Sequence, residues 1–226
     1  RATLREHIEL YNPTCSDVSV AGWRIGGFAN GASGGIALPG GAKIPGHGYY
    51  LITITNGLNT INGVSVDYNA GIDPGCCPAG NYIPDANGSA RLTNGGLEVD
   101  RVGWGSGVGE GTSIANPNAN TFLERKAGYY STMASNGVGG NHADRGNGQD
   151  SDNNLVDWVK MTNSVDTPPK NSYNGFNDPG NWRENPVGYA SCPATNTIPS
   201  HVVISRVDAR ATLREHIELY NPTCSD

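Results

Sequence analysis

At 226 residues the chain is long enough for one large or two small domains with a sizeable core. Glycine (32) and proline (14) are abundant and charged residues make up only 16% of the chain, a mix that suits many strands joined by turns and excludes an architecture of long helices. A net charge of −6 offers no basic face to a phosphate backbone, which argues against a nucleic-acid partner, and no apolar run approaches the roughly 18 residues of a membrane span.

The elements read as strands. "EHIELY" alternates, with Ile8 and Leu10 on one face and His7, Glu9 and Tyr11 on the other, where His7 is expected to be solvated; Asn12-Pro13 ends it. "VSVAGWRI" turns Val18 and Val20 inward, then Trp23 and Ile25, so its parity changes across Ala21-Gly22 and predicts a bulge or bend. "GGIALPGGAKIPGHGYYLITIT" reads as two strands joined by Pro-Gly-Gly, the second alternating through Tyr50, Ile52 and Ile54. "ARLTNGGLEVDRVGWG" is a hairpin turning at Asn94-Gly95, because both residues tolerate positive φ, and "NTFLERK" reads as an edge strand. No segment offers a capped helix longer than about a turn or two.

From residue 128 the chain is polar and turn-rich. Residues 173–200 read as a linker, partly ordered if Tyr173, Phe176 and Trp182 cover a surface. "HVVISRVDAR" then supplies a further strand through Val202, Val203 and Ile204. Short strands with turns every 8–12 residues are the pattern of a two-sheet sandwich.

"HIELYNPTCSDVSVAGWRI", followed by "ALPGGAKIPGHGYYLIT" and "ARLTNGGLEVDRVGWGS", resembles the lamin tail domain family, and "NTFLERK" and "DSDNNLVDW" resemble its closing segments. The resemblance spans roughly residues 1–170 and 201–209. It implies an all-β, immunoglobulin-like β-sandwich of seven to nine strands, a non-catalytic role in binding or structure, and occurrence in nuclear lamins and in secreted or surface-attached prokaryotic proteins. In that family a strand like "HVVISRVDA" precedes "EHIELYNP" and pairs with it. Here it follows, so the opening strand is expected from residues 201–208. The insertion "DPGCCPAGNYIPDANG" has no place in the resemblance.

The seventeen residues 1–17 are repeated without change at 210–226, 209 positions later. Each period therefore holds four cysteines, Cys15, Cys76, Cys77 and Cys192, with Cys224 the copy of Cys15. An even count without CxxC pairs favours disulfides and an oxidising compartment over zinc, with Cys76 and Cys77 bonding separately to Cys15 and Cys192; buried free thiols are the alternative. The chain opens within a strand-like segment, so the lack of a signal peptide carries no information on secretion.

Candidates for chemistry are few. "GASGG" fits the nucleophile-elbow string at Ser33, but Ile-Ala-Leu-Pro follows where a helix is required, so a loop is expected. His7, His47, His142 and His201 are scattered without metal-ligand spacing. Asp150, Asp152 and Asn154 occupy the first three ligand positions of a calcium loop, but Leu155 stands where its glycine belongs and Met161 where its glutamate belongs. A calcium site built from Asp150, Asp152, Asn154 and Asp157 with backbone carbonyls stands beside the alternative that these residues form solvated Asx-turns. No other cofactor is implied. Asn87-Gly-Ser is a formal N-glycosylation acceptor.

The repeated ends admit three explanations: a tandem array of 209-residue units, discrete subunits that exchange strands, or an artefact. The first two join units head to tail, and a heterologous joint that does not close gives an open filament. The expectation is a β-sandwich at 1–172, a linker at 173–200, and at 201–226 the opening hairpin of the next repeat or a donor strand. Val202, Val203, Ile204 and Val207 would meet Ile8 and Leu10 across the joint. The chain would then be a self-associating, extracellular or cell-surface structural subunit. An adhesive module displaying Tyr129, Tyr130, Tyr173 and Trp182, with repeats adding avidity, or an accessory domain of a secreted enzyme, are the alternatives.

Overall fold

The computed structural model describes residues 6–14, 16–28, 35–54, 58–61, 63–71, 83–84, 86–117, 121–143, 145–162, 170, 172, 202–208 and 219–220. Within them the chain is all-β, with two four-residue helices, α1 (Met133–Asn136) and α2 (Asn154–Asp157). Strands β1 (His7–Asn12), β6 (Gly48–Thr53), β9 (Tyr68–Asn69), β12 (Thr121–Arg125), β13 (Trp158–Thr162) and β14 (Val203–Asp208) form one sheet in the order β13-β12-β14-β1-β6-β9, and β15 (Leu219–Tyr220) also pairs with β14. A second sheet runs β11-β10-β3-β4, from β3 (Arg24–Gly26), β4 (Ile36–Ala37), β10 (Ser89–Asn94) and β11 (Leu97–Gly103). Two short ribbons pair β2 (Val18–Ser19) with β5 (Lys43–Ile44), and β7 (Thr60–Ile61) with β8 (Val64–Ser65).

Strand periodicity sends every second side chain to one face, and both large sheets aim theirs at a common core. Ile8, Leu10, Ile52, Leu123, Ile204 and Val207 from the first sheet share a buried cluster with Ile25, Ile36, Leu92 and Val102 from the second. The parity change at Ala21-Gly22 marks the crossing between layers. Val20 ends the approach to the β2–β5 ribbon, Gly22 turns at φ +75°, and Ile25 enters the second sheet.

Four local expectations are corrected. His7 is not solvated: His7, Glu9 and Tyr11 are buried together with Ile8 and Leu10, because the sheet's second face is covered as well. Tyr11 packs on Tyr49 with ring centroids 4.5 Å apart and on Val203, and Leu51 lies under Ile61 and Val64 of the β7–β8 ribbon. Gly146, at φ +79°, lies so close to the Tyr11 ring that a Cβ would collide with it. The stretch read as two strands forms three, β4, β5 and β6, each in a different sheet. The β10–β11 hairpin forms, but Asn94 pairs with Leu97 and the positive φ values belong to Gly95 and Gly96. Finally, β12 is not an edge strand; β13 and β14 flank it.

Candidate functional site: a groove for one strand

Strand β14 lies between two strands that come from far earlier in the chain. Against β1 it runs antiparallel, with His7 opposite Asp208, Ile8 opposite Val207, Glu9 opposite Arg206, Leu10 opposite Ile204 and Tyr11 opposite Val203. The register slips between Glu9 and Leu10, so Ser205, fully buried, has no opposite residue and forms a bulge. On the other side β12 pairs through Leu123 with Val207 and Glu124 with Arg206. The expected opening strand therefore fills the middle of the sheet, folded back from the chain's own later segment.

From Val202 to Val207 every residue is buried. Val202, Val203, Ile204 and Val207 are all fully buried. At roughly 1.5–3 kcal/mol per side chain their transfer from water is worth on the order of 10 kcal/mol, an upper bound because an unfolded chain already hides some surface. Ile8 and Leu10 share the core cluster with Val202, Ile204 and Val207 within this one chain, whereas Val203 turns to the other face and packs with Tyr11 and Tyr49 instead.

Where β12 stops pairing, two charged side chains take over the strand's main chain. Asp100, on β11 of the opposite sheet, accepts from the Ile204 N–H, and Arg125 Nε donates to the Ile204 carbonyl. The two are themselves joined in a fork, Arg125 Nη2 lying 2.8 and 2.9 Å from the Asp100 oxygens, with both side chains fully buried. Arg125 also donates to the Gln149 carbonyl at 3.0 Å, lies 3.3 Å from Asp150, and covers the Trp158 ring at 4.9 Å. Surrounding carboxylates keep its guanidinium charged against the cost of burial. Two residues further along, Arg206 lies 3.4 Å from Glu9, 3.9 Å from Glu124 and 3.9 Å from the centre of the Phe122 ring. Neither group was singled out from the sequence. The only signal was a charged residue within a strand-like run, next to an apolar one, at Asp100, Glu124 and Arg206.

The repeated segment reaches the same strand. In β15, Tyr220 is opposite Val203 and Leu219 opposite Ile204. These are the second copies of Tyr11 and Leu10, and they take the same partners in the same register as the first copies do.

The calcium candidates divide. Asp157 is fully buried and accepts from Ser151 N–H and Oγ at 2.8 Å, from Gln149 Nε2 at 3.2 Å and from Asn153 N–H at 3.2 Å. Asn154 Oδ1 accepts from Gly103 N–H and Glu110 N–H at 2.8 and 2.9 Å, tying β11 to the loop after it. Both side chains therefore organise the loop. Asp150 and Asp152 instead gather with Glu110, one oxygen from each lying within 4.8 Å of the others. Burial, and then the charge of Asp100 and Asp150, push the Glu110 carboxyl up to about 9 against the opposing pull of Arg125. The cluster has the spacing of a cation site, while Arg125, 3.3 Å from Asp150, already sets a positive charge beside it.

Cys15, Cys76, Cys77, Cys192, Ser33, His201, Tyr173, Phe176 and Trp182 lie outside the described residues. His142 Nδ1 is 2.9 Å from Ser131 Oγ and His47 turns at φ +53°, and neither belongs to the metal-spaced cluster found among the described residues. Asn87 is exposed at φ +57°, with its Oδ1 accepting from Ser106 N–H at 3.0 Å. Tyr129 and Tyr130 are exposed and meet edge to face at 5.0 Å. Among the described residues no helix is long and apolar enough to cross a membrane. No protein-family model, curated protein or solved structure matches the chain.

Proposed function

We propose that this chain is a non-catalytic structural subunit of an extracellular filament, built from lamin-tail-like, immunoglobulin-type β-sandwiches joined head to tail through the strand at 203–208. The observation that carries the reading is the shared register of the two copies, Leu10 and Leu219 both opposite Ile204, Tyr11 and Tyr220 both opposite Val203. The pairing rules of β14 do not distinguish the copies, so each chain carries one strand more than its own sheet needs. Because either copy can partner it, the strand at 203–208 can equally pair with the β1 of another unit, where main-chain hydrogen bonds and buried valine and isoleucine side chains supply affinity. Because donor and acceptor surfaces differ, the joint is heterologous and propagates.

The extracellular placement rests on the even cysteine count per period. The exposed Tyr129–Tyr130 pair favours a second reading, an adhesive module whose repeats add avidity.

The test is electron microscopy of native material together with its polypeptide mass after reduction and denaturation. Filaments made of polypeptides near 23.7 kDa indicate discrete strand-exchanging subunits. Filaments made of polypeptides several periods long indicate a covalent tandem array with the same joints. A species that stays monomeric at every concentration and binds a glycan saturably refutes the filament and supports the adhesin.

A further inference from the structure

We infer that the groove between β1 and β12 is a receptor for an arginine-bearing strand of a second copy of this chain, with Glu9, Glu124 and the face of Phe122 forming a cage that reads the guanidinium of Arg206. The inference rests on the head-to-tail reading and names how one unit recognises the next.

Glu9, Arg206 and Glu124 stand in one row across three adjacent strands, so the guanidinium is flanked by a carboxylate on each side. Its distances to them are 3.4 and 3.9 Å, and the Phe122 ring centre lies 3.9 Å from it. All three charged residues are at least nine-tenths buried: Glu9 is 0%, Arg206 1% and Glu124 5% exposed. The wall is held in place independently of the arginine, since Asn136 Nδ2 donates to Glu124 Oε1 at 3.4 Å and to the Arg125 carbonyl at 3.1 Å. A groove without its strand would present two carboxylates facing each other across one strand's width. That arrangement attracts a cation and repels a strand carrying an acid, which is how an interface selects among partners. A planar guanidinium suits the site better than an ammonium, because it meets carboxylates edge-on while stacking on an aromatic face.

The second device sets position rather than identity. Asp100 and Arg125 bind the N–H and the carbonyl of Ile204, main-chain groups that any residue there would offer. The fork thus fixes register, and the cage two residues later fixes sequence. Glu9 recurs at Glu218 in the repeated segment, whereas Phe122 and Glu124 occur once, so Glu124 marks the acceptor side alone and Arg206 the donor side alone.

The test uses two full-length variants, Arg206→Glu and Glu124→Arg, in sedimentation velocity across a concentration series. Near-ultraviolet circular dichroism verifies that each is folded. Each variant alone is expected to self-associate about a hundredfold more weakly than the wild type, the loss typical of a buried charge pair broken at one partner. Mixed, they should associate again, because the Arg206 strand of one meets the intact Glu9–Glu124 cage of the other. Arg206→Lys keeps the charge and loses the planar fork, and should fall between wild type and Arg206→Glu. If Arg206→Glu cannot fold, Arg206→Lys measured against Arg206→Gln decides the matter, with lysine expected to associate more tightly. Wild-type-like assembly by Arg206→Glu, no recovery on mixing, or equal affinities for lysine and glutamine would overturn the cage while leaving strand sharing intact. A wild-type chain that stays monomeric throughout would overturn both.

Discussion

Replacing Arg125 by methionine tests whether the fork across the two sheets holds β14 in place. The substitution preserves length and apolar stem but takes the Arg125 charge away from the fully buried Asp100, and removes the Arg125 donor to the Ile204 carbonyl. Breaking a buried ion pair from one side costs about 3–5 kcal/mol, and the orphaned carbonyl adds about 1–3 kcal/mol. The expected loss is therefore about 4–8 kcal/mol, a large fraction of the roughly 5–15 kcal/mol that a folded domain has in total. Asp100→Leu combined with Arg125→Met should recover part of this, because an apolar pair of similar volume leaves no buried charge. The assay is equilibrium urea unfolding with a constant slope, read as a shift in midpoint. A single Arg125→Met variant within about 1 kcal/mol of the wild type would refute the reasoning, and so would a double variant as unstable as the sum of the two single changes.

Four further outcomes follow from the same geometry. Glu110 carries a folded-state pKa of about 9 against a reference of 4.5, so the folded chain binds a proton more tightly than the unfolded one. Its contribution to stability is fully present below pH 4.5 and is lost as pH rises toward 9, at up to about 1.4 kcal/mol per pH unit. Glu110→Gln should remove that slope, making the variant more stable than wild type at pH 8 and indistinguishable near pH 4; parallel curves would contradict the assignment. Deleting residues 210–226 should leave the unfolding midpoint unchanged, since β1 already supplies the partners of Val203 and Ile204, whereas deleting 201–226 should abolish the cooperative transition. Ile204→Ala, at a fully buried position, should cost about 2–5 kcal/mol in the same urea assay. Gly96→Ala forces a side chain into φ +87° at the hairpin and should cost about 1–2 kcal/mol, while the equivalent change at exposed Gly40, whose φ is not positive, should cost little.

Local chemistry made some of the fold legible. The Asn-Gly pair at 94–95 signals a tight reversal between apolar runs, which the fold places one residue later, and Val202, Val203 and Ile204 in a row mark a strand. The identical ends were visible letter by letter. What the sequence hid was which segments return to cover which faces. His7 and Glu9 read as a solvated face because alternation reports only that two faces differ, and the β7–β8 ribbon and the neighbourhood of Tyr49 and Gly146 come from far along the chain. In the same way β12 looked like an edge because the strand that flanks it comes later by some 80 residues, beyond the reach of local pattern. The buried charges were hardest to foresee. Asp100 and Arg125 sit on different sheets and meet only when the layers close, so neither position alone betrays the other. Among the acidic residues near 150, spacing suggested one ligand set of Asp150, Asp152, Asn154 and Asp157. The fold instead commits Asn154 and Asp157 to backbone amides and brings in Glu110 from a separate loop.

Whether units share the strand at 203–208 is decided by cross-linking isotopically mixed chains. Full-length chains grown in light and heavy isotopes are mixed, allowed to assemble, and cross-linked through a photoreactive leucine analogue at position 207, which lies opposite Ile8 and Leu123. Strand sharing gives peptides that join light 203–208 to heavy 7–12 or 121–125, and the reverse. Cross-links confined to peptides of a single isotope, at concentrations where assemblies are present, would mean that each strand stays in its own sheet and that the units are held together elsewhere.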